Sequence, residues 1–265
     1  MLDKEKNADR FTGFAKIYEN ARPTIPKYPI GRICSYLGRK PNCVVDLGCG
    51  TGLSTIPWKE MSSNIIGIEP SSDMIAIAKQ KESDSIKFIK AFSDKTTLDD
   101  NYADVVICSQ SFHWMEPKST LKEVDRILKT SGVFATVDCD WPPVTLWQAE
   151  QAYMQLYNKV KEYEQNTKEI QNTFVRYSKD KHLKNIKESG YFRYTREIVF
   201  LNTERCNAER FVNIILSQGS LQVILKKAPE LIQNEIEEFY EKVNNIFGED
   251  DFDIDFCYRM RVGIK

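Results

Sequence analysis

Short runs of apolar and β-branched residues alternate with amphipathic stretches through the first half of the chain. NCVVDL (42–47), NIIGIE (64–69), IKFIK (86–90), ADVVICS (103–109) and GVFATVD (132–138) are nearly continuous apolar runs. Such runs predict strands covered on both faces, because a half-exposed strand would alternate. Between them the period lengthens. Ser71–Lys81 places Met74, Ile75 and Ala78 on one face, and Lys118–Lys129 groups Leu121, Val124, Ile127 and Leu128 ahead of Gly132. Strand–helix alternation of this kind predicts an α/β fold with a parallel sheet and right-handed crossovers.

From about residue 142 the rhythm changes. Leu146, Ala149, Tyr153, Leu156, Val160 and Tyr163 recur at helical spacing. A second long helix is expected from Pro229, with Ile232, Ile236, Phe239, Val243 and Ile246 on one stripe and Gly248 at its end. Another apolar helix is expected around Phe211–Leu216. Such stripes usually face a core. YFRYTREIVF (191–200), after a helix closed by Gly190, and DIDFCYRMRVGI (253–264) read as late strands that join the same sheet.

The chemistry gathers at CVVDLGCGTGLST (43–55), where Gly48, Gly50 and Gly52 follow a strand ending in Asp46 and Leu47. A glycine loop between a strand and a helix normally offers backbone N–H groups to a phosphate. Here the spacing is shorter than that of the dinucleotide fingerprint, and Asp46 stands where a pyrophosphate would approach. Two anions in one low-dielectric cleft repel. A positively charged nucleoside fits better. Glu69, at the end of the next strand, is placed to accept the hydroxyls of a ribose.

Composition narrows the partners. Lys plus Arg total 37 against 38 Asp plus Glu, a net charge of −1, which gives no global attraction to nucleic acid or an anionic membrane. The 7 cysteines are odd in number and form no C-x-x-C pair, which suits reduced core residues. MLDKEKNADRF has no apolar signal core, so a cytoplasmic location is expected. No metal site is read.

The ordered motifs resemble the class I S-adenosylmethionine-dependent methyltransferases, in their type 11 branch. VVDLGCGTG (44–52) is similar to the family's first motif and IIGIEPSSDMIAIAK (65–79) to its second. IKFIKAFSD (86–94) resembles the adenine-cradling segment, with Ala91, Phe92 and Ser93 where relatives often carry Gly-Asp-Ala or Gly-Ser-Ala. ADVVICSQSFHWME (103–116) resembles the fourth-strand motif of members related to trans-aconitate methyltransferase. RILKTSGVF (126–134) looks like the family's Leu-Lys-Pro-Gly-Gly turn, with Thr130 and Ser131 replacing Pro and Gly. FTGFAKIYENARPTIPKYP (11–29) is similar to the N-terminal segment of the same relatives. The resemblance implies a doubly wound, seven-stranded, mostly parallel Rossmann-like sheet whose last strand is antiparallel, with a helical lid. It implies one domain over 1–265: a helical cap over 1–40, a cofactor-binding core over 41–141, lid insertions over 142–190 and 203–248, and terminal strands over 191–202 and 249–265.

It further implies S-adenosyl-L-methionine as cofactor, held by Asp46, Gly48, Cys49, Gly50, Gly52, Glu69, Pro70 and Met74. Phe92, Ser93, Ser109 and Gln110 would join them, and Tyr18 and Arg22 would close over the cofactor. Methyl transfer is an in-line displacement needing collinear reactants and exclusion of water. A general base matters only where the acceptor must lose a proton, and a carboxylate acceptor has none to lose. His113 is the candidate base; the alternative is that it shapes its loop. Trp114, Asp138 and Asp140 are candidate pocket residues. Arg22 would bind the carboxylate of the cofactor or of an acidic acceptor. His182, in a Lys-rich helix, reads as solvated. The expected partner is a small-molecule methyl acceptor, not nucleic acid or membrane. Two other readings stay open: a protein that binds S-adenosylmethionine or S-adenosylhomocysteine without catalysis, and an NAD-dependent oxidoreductase. The atom methylated and the oligomeric state are not legible.

Overall fold

In the computed structural model, which describes residues 3–171 and 173–265, seven strands form one sheet. They are β1 (Cys43–Leu47), β2 (Asn64–Ile68), β3 (Ile86–Ile89), β4 (Ala103–Ser109), β5 (Leu128–Cys139), β6 (Tyr194–Cys206) and β7 (Phe252–Ile264), in the order β3-β2-β1-β4-β5-β7-β6. β1 pairs in parallel with β2 and β4, and β7 runs antiparallel to both β5 and β6. The chain therefore reverses its direction of travel across the sheet between β1 and β4, and a crevice opens beyond their carboxyl ends.

The alternating sides of the apolar runs explain why both faces are covered. Val44, Ile65, Val105, Ile107, Val133 and Ala135 point to one face. There they meet α3 (Lys27–Leu37) and α4 (Ser72–Lys79), together with the helices α6 (Trp147–Asn166), α8 (Ala208–Leu216), α9 (Gly219–Lys227) and α10 (Gln233–Phe247). Val45, Leu47, Ile66, Val106 and Phe134 point the other way, toward α5 (Pro117–Ile127) and α7 (His182–Glu188). Two short helices, α1 (Asp3–Asp9) and α2 (Ala15–Ala21), lie over the crevice. Asn7 of α1 donates to the carbonyls of Trp114 and Val175 at 2.7 and 2.8 Å and accepts from the Val175 N–H at 2.9 Å. One side chain thus ties the cap to two loops.

Four expectations need correction. The helix expected over 118–129 ends at Ile127, and Leu128 already pairs with Ala103 in the sheet. The C-terminal Lys265 draws that segment into β structure: its Nζ donates to the Leu128 carbonyl at 2.9 Å and its carbonyl accepts the Ser131 N–H at 3.2 Å. The single helix expected near Phe211–Leu216 is followed by a second, α9. They separate at Ser217, whose carbonyl and hydroxyl receive the Arg22 guanidinium at 3.2 and 2.7 Å. The helix expected from Pro229 begins as a 3₁₀ turn (Pro229–Leu231), with α10 starting at Gln233. The helix expected directly after the glycine loop is a series of turns leading into a 3₁₀ segment, Ile56–Glu60, with Pro57 in its first turn.

Candidate active site

Each glycine of the loop after β1 has positive φ, from +57° to +93°. At Gly48 the close approach is decisive: a Cβ would lie 2.7 Å from both Met115 Cε and Ser111 Cβ. The loop is pinned to the end of β2. The N–H groups of Gly48 and Cys49 both donate to the Ile68 carbonyl, and Gly50 N–H donates to Glu69 Oε2 at 2.9 Å. Gly52 N–H is taken by the Cys49 carbonyl. A phosphate-cradling loop needs these donors free. Here the N–H groups of Gly48, Cys49 and Gly50 are spent on the end of β2 and that of Gly52 within the loop.

The two acids of this loop divide their work. Glu69 is 6% exposed; its Oε1 accepts the Ser71 N–H at 2.8 Å, and its carboxylate forms part of the crevice wall. Burial raises its pKa to about 7, against the pull of the Ser71 and Gly50 N–H groups. Asp46 is fully buried beneath the loop. Its Oδ2 accepts the hydroxyls of Ser54 and Thr55 at 2.6 and 2.7 Å, its Oδ1 has no partner, and burial raises its pKa to about 6. Asp46 braces the loop from below and does not line the cavity.

That cavity lies beyond β1, β2 and β4. Glu69, Pro70, Met74, Phe92, Ser93, Gly48, Gly50 and Gln110 line it, with Phe11, Tyr18 and Trp114 on the cap side. Its ionisable wall is acidic. Glu69, Asp94 and Glu116 contribute to it, and the lone lining cation among the described residues, Lys4, is paired with Asp94 at 2.8 Å. Aromatic and thioether walls with a buried acid at the end of β2 suit a cationic nucleoside and disfavour a pyrophosphate.

A second cavity adjoins the first, sharing Phe11, Tyr18, Gln110 and Trp114 with it. Its character is opposite. Arg10, Arg22, Arg176 and Lys179 line it, along with His113, Trp141 and Tyr157, and among the described residues no carboxylate does. Gln110 stands at the junction with a left-handed φ of +55°. Its N–H is tied to the Val137 carbonyl at 2.9 Å, its Oε1 accepts from Lys179 Nζ at 3.1 Å, and its Nε2 is buried without a partner. A non-glycine residue held this way stores about 1 kcal/mol or more of backbone strain.

Beneath the second cavity lies a buried charge cluster. Asp138 accepts from His182 Nδ1 and Arg261 Nη1, each at 3.1 Å, and sits 3.4 Å from Lys179 Nζ and 3.6 Å from His113 Nδ1. Lys179, His113 and His182 hold the Asp138 carboxyl well below its usual pKa despite complete burial. His113 is itself pushed down to about 3, chiefly by burial and then by Lys179, so it is neutral at physiological pH. His182 is 0% exposed, which corrects the reading of it as solvated: its apolar face packs on Phe112 and its Nδ1 serves Asp138.

Other candidates fall elsewhere. Cys49 and Ser109 line a small hollow beside the junction, with Tyr18, Arg22 and Trp141. Gly52 abuts the Phe88 ring, and Asp140 pairs with Arg259 at 2.9 Å. Gly52, Asp138 and Asp140 line neither cavity. The sequence reading did not single out Arg10, Arg176, Lys179 or Trp141. No spacing rule links them, because they come from widely separated segments.

The strand order, the glycine loop on β1 and the acid closing β2 are the frame of a class I methyltransferase, whose cofactor is S-adenosylmethionine. A profile of the methyltransferase domain family, type 11, matches residues 45–136, so that segment is similar to the domain of that branch. A stretch of 124 residues is 32% identical to CRG1 of Saccharomyces cerevisiae, provisionally named an S-adenosylmethionine-dependent methyltransferase; it covers 44% of this chain and 43% of CRG1. A stretch of 154 residues is 28% identical to the ubiquinone/menaquinone biosynthesis C-methyltransferase UbiE of Campylobacter jejuni, covering 52% of this chain and 65% of UbiE. The chain thus matches less than two thirds of the length of these relatives. In structure it is similar to a provisionally assigned type II methyltransferase from Anaeromyxobacter dehalogenans, with a TM-score of 0.69 and 16% identity over 92% of this chain and 97% of that one. That likeness concerns the fold. Among the described residues no helix is long and apolar enough to cross a membrane.

Proposed function

We propose that the chain transfers a methyl group from S-adenosylmethionine to a carboxylate of a small-molecule acceptor, giving a methyl ester. The observation that carries this reading is the pair of adjoining cavities with opposite character: an acidic, aromatic one for the cationic nucleoside, and a cation-lined one for an anion. The cofactor supplies a methyl group already activated on a positively charged sulfur, so a carboxylate oxygen takes it as sulfur takes the bonding electrons. No proton has to leave.

The chain's residues then have three tasks. Glu69 accepts ribose hydroxyls, and the loop of Gly48 and Gly50 brings the backbone against the cofactor. Phe11, Tyr18 and Trp114, shared by both cavities, exclude water where the two ligands meet. Arg22 and Lys179 hold the acceptor's carboxylate, Arg22 braced on Ser217 and Lys179 on Gln110 and Asp138. His113, neutral and turned toward Asp138, shapes the wall instead of removing a proton. We assign the reaction to a free acceptor in the cytoplasm, a reading supported by balanced charge and by cysteines that are all unpaired.

The test has two stages. Calorimetry with S-adenosylhomocysteine, with NAD as control, should give binding of the first that Glu69→Ala abolishes. Mass spectrometry of small carboxylic acids incubated with S-adenosylmethionine should then find methyl esters. Binding of NAD alone would refute the cofactor reading. Tight binding with turnover only of amines or thiols would refute the carboxylate.

A further inference from the structure

Arg10 follows α1 and is 5% exposed, yet its guanidinium is only partly satisfied. Nη2 donates to Ser220 Oγ at 3.1 Å, while Nε and Nη1 have no hydrogen-bond partner. The group is clamped between aromatic rings, 3.9 Å from the Trp114 centroid and 4.1 Å from that of Phe174. Stacking fixes its plane but leaves its N–H edge unserved, since the donors lie in that plane. The surrounding charge does not balance it either. Glu164 attracts it, Arg176 and Arg22 repel it, and Glu164 makes its own ion pair with Lys161 at 3.1 Å. Burial lowers the Arg10 pKa to about 9, so the group stays cationic at neutral pH.

The start of α9 meets this guanidinium closely. A Cβ on Gly219 would lie 2.4 Å from Arg10 Nε, so only glycine lets the helix come this near. Gln218, Gly219 and Ser220 line the second cavity beside Arg10, and no side chain caps the first turn. The uncapped first turn of α9 and Arg10, with its idle Nε and Nη1 buried, therefore border one space. A buried cation with idle donors is destabilising unless an anion completes it.

We propose that Arg10, Ser220 and the first turn of α9 form an anchoring subsite for a second, non-reacting oxyanion of the acceptor, which is accordingly a compact dianion. The inference rests on the second cavity being the acceptor site. Phe11, Tyr18, Gln110 and Trp114 line both cavities, whereas Arg10 lines the second and not the first. The group that receives the methyl sits at that shared wall, and an anion on Arg10 is a different group of the same molecule. A carboxylate and a phosphate monoester both match the guanidinium edge, so the probes must separate them.

The experiment begins with S-adenosylhomocysteine binding to the whole chain. With that ligand saturating, and again without it, glutarate, adipate, hexanoate and inorganic phosphate are titrated in turn by calorimetry. A dicarboxylate is expected to bind at least about tenfold more tightly than hexanoate. Arg10→Met and Ser220→Asp should each erase that preference while changing S-adenosylhomocysteine affinity by less than about threefold. Ser220→Asp is the stronger probe, because it offers Arg10 an internal carboxylate, and its melting temperature should rise. Phosphate binding lost in both variants, with no dicarboxylate preference, would support the subsite and assign it to a phosphate ester. Absence of any anion binding, or a preference that survives both variants, overturns the proposal. Failure of S-adenosylhomocysteine to bind strikes the cofactor reading instead, and the titrations on the free protein still decide the subsite.

Discussion

Glu69 offers a direct test of how this site balances stability against binding. Its carboxyl has a pKa of about 7 in the fold against an ordinary value of 4.5, with burial as the largest cause. The folded state therefore holds this proton more tightly than the unfolded chain does. Stability from this group is complete below pH 4.5 and declines as pH rises through 7. Integrated between pH 5 and pH 8, the loss from this one group is about 2.5 kcal/mol. Glu69→Gln removes the titration while keeping the shape. Its absolute stability also shifts, because an amide cannot accept from both the Gly50 and Ser71 N–H groups, but that offset does not vary with pH. The assay is urea unfolding of both proteins, free of cofactor, at intervals from pH 5 to pH 8. The wild-type profile should fall more steeply than the variant's by about 2.5 kcal/mol over that range. A cofactor whose hydroxyls donate to Glu69 prefers the ionised form, so S-adenosylhomocysteine affinity should weaken by up to about tenfold per pH unit below 7 in the wild type. It should stay flat in the variant. Stability profiles that run parallel within about 0.5 kcal/mol would refute the claim that burial raises the Glu69 pKa.

Gly48→Ala should destabilise the fold by about 2–4 kcal/mol, combining the left-handed backbone with contacts that must move Ser111 and Met115; equal melting curves would contradict it. Asp138→Asn leaves Arg261, 3% exposed, without one of its two carboxylate partners and should lower stability by about 3 kcal/mol at pH 7. Because the Asp138 pKa is depressed below its ordinary value of 3.8, that deficit should shrink only as pH falls below about 4, as acid denaturation would show. Asn7→Ala deletes three bonds from the cap and should raise amide exchange over residues 3–9 and at Val175, with exchange in β1 and β4 unchanged.

The sheet was legible because its strands are buried on both faces and so appear as unbroken apolar runs. Glu69 and the glycines were legible because a single loop concentrates them. Asp46 was placed near its true height but facing the ligand; the sequence could not show that Ser54 and Thr55 turn back beneath it. His182 was misread because a lysine-rich neighbourhood describes the solvent side of a helix and says nothing of the residue facing the sheet. The second cavity was hidden for a different reason. Arg10, Arg176 and Lys179 stand far apart along the chain, and only long-range packing turns separate surface-type residues into one electropositive wall.

The two cavities also draw on different parts of the chain. Most of the nucleoside cavity's wall comes from the segment 45–136, where the family profile applies, whereas Arg10, Arg22, Trp141, Arg176 and Ser220 all lie outside it. Inheritance can therefore act on the two halves separately. On the proposed assignment, replacing the helices after β5 would change the acceptor wall while the part of the nucleoside wall built by β1, β2 and β4 carried on unaltered, so new specificities can arise by grafting, without re-evolving the reaction.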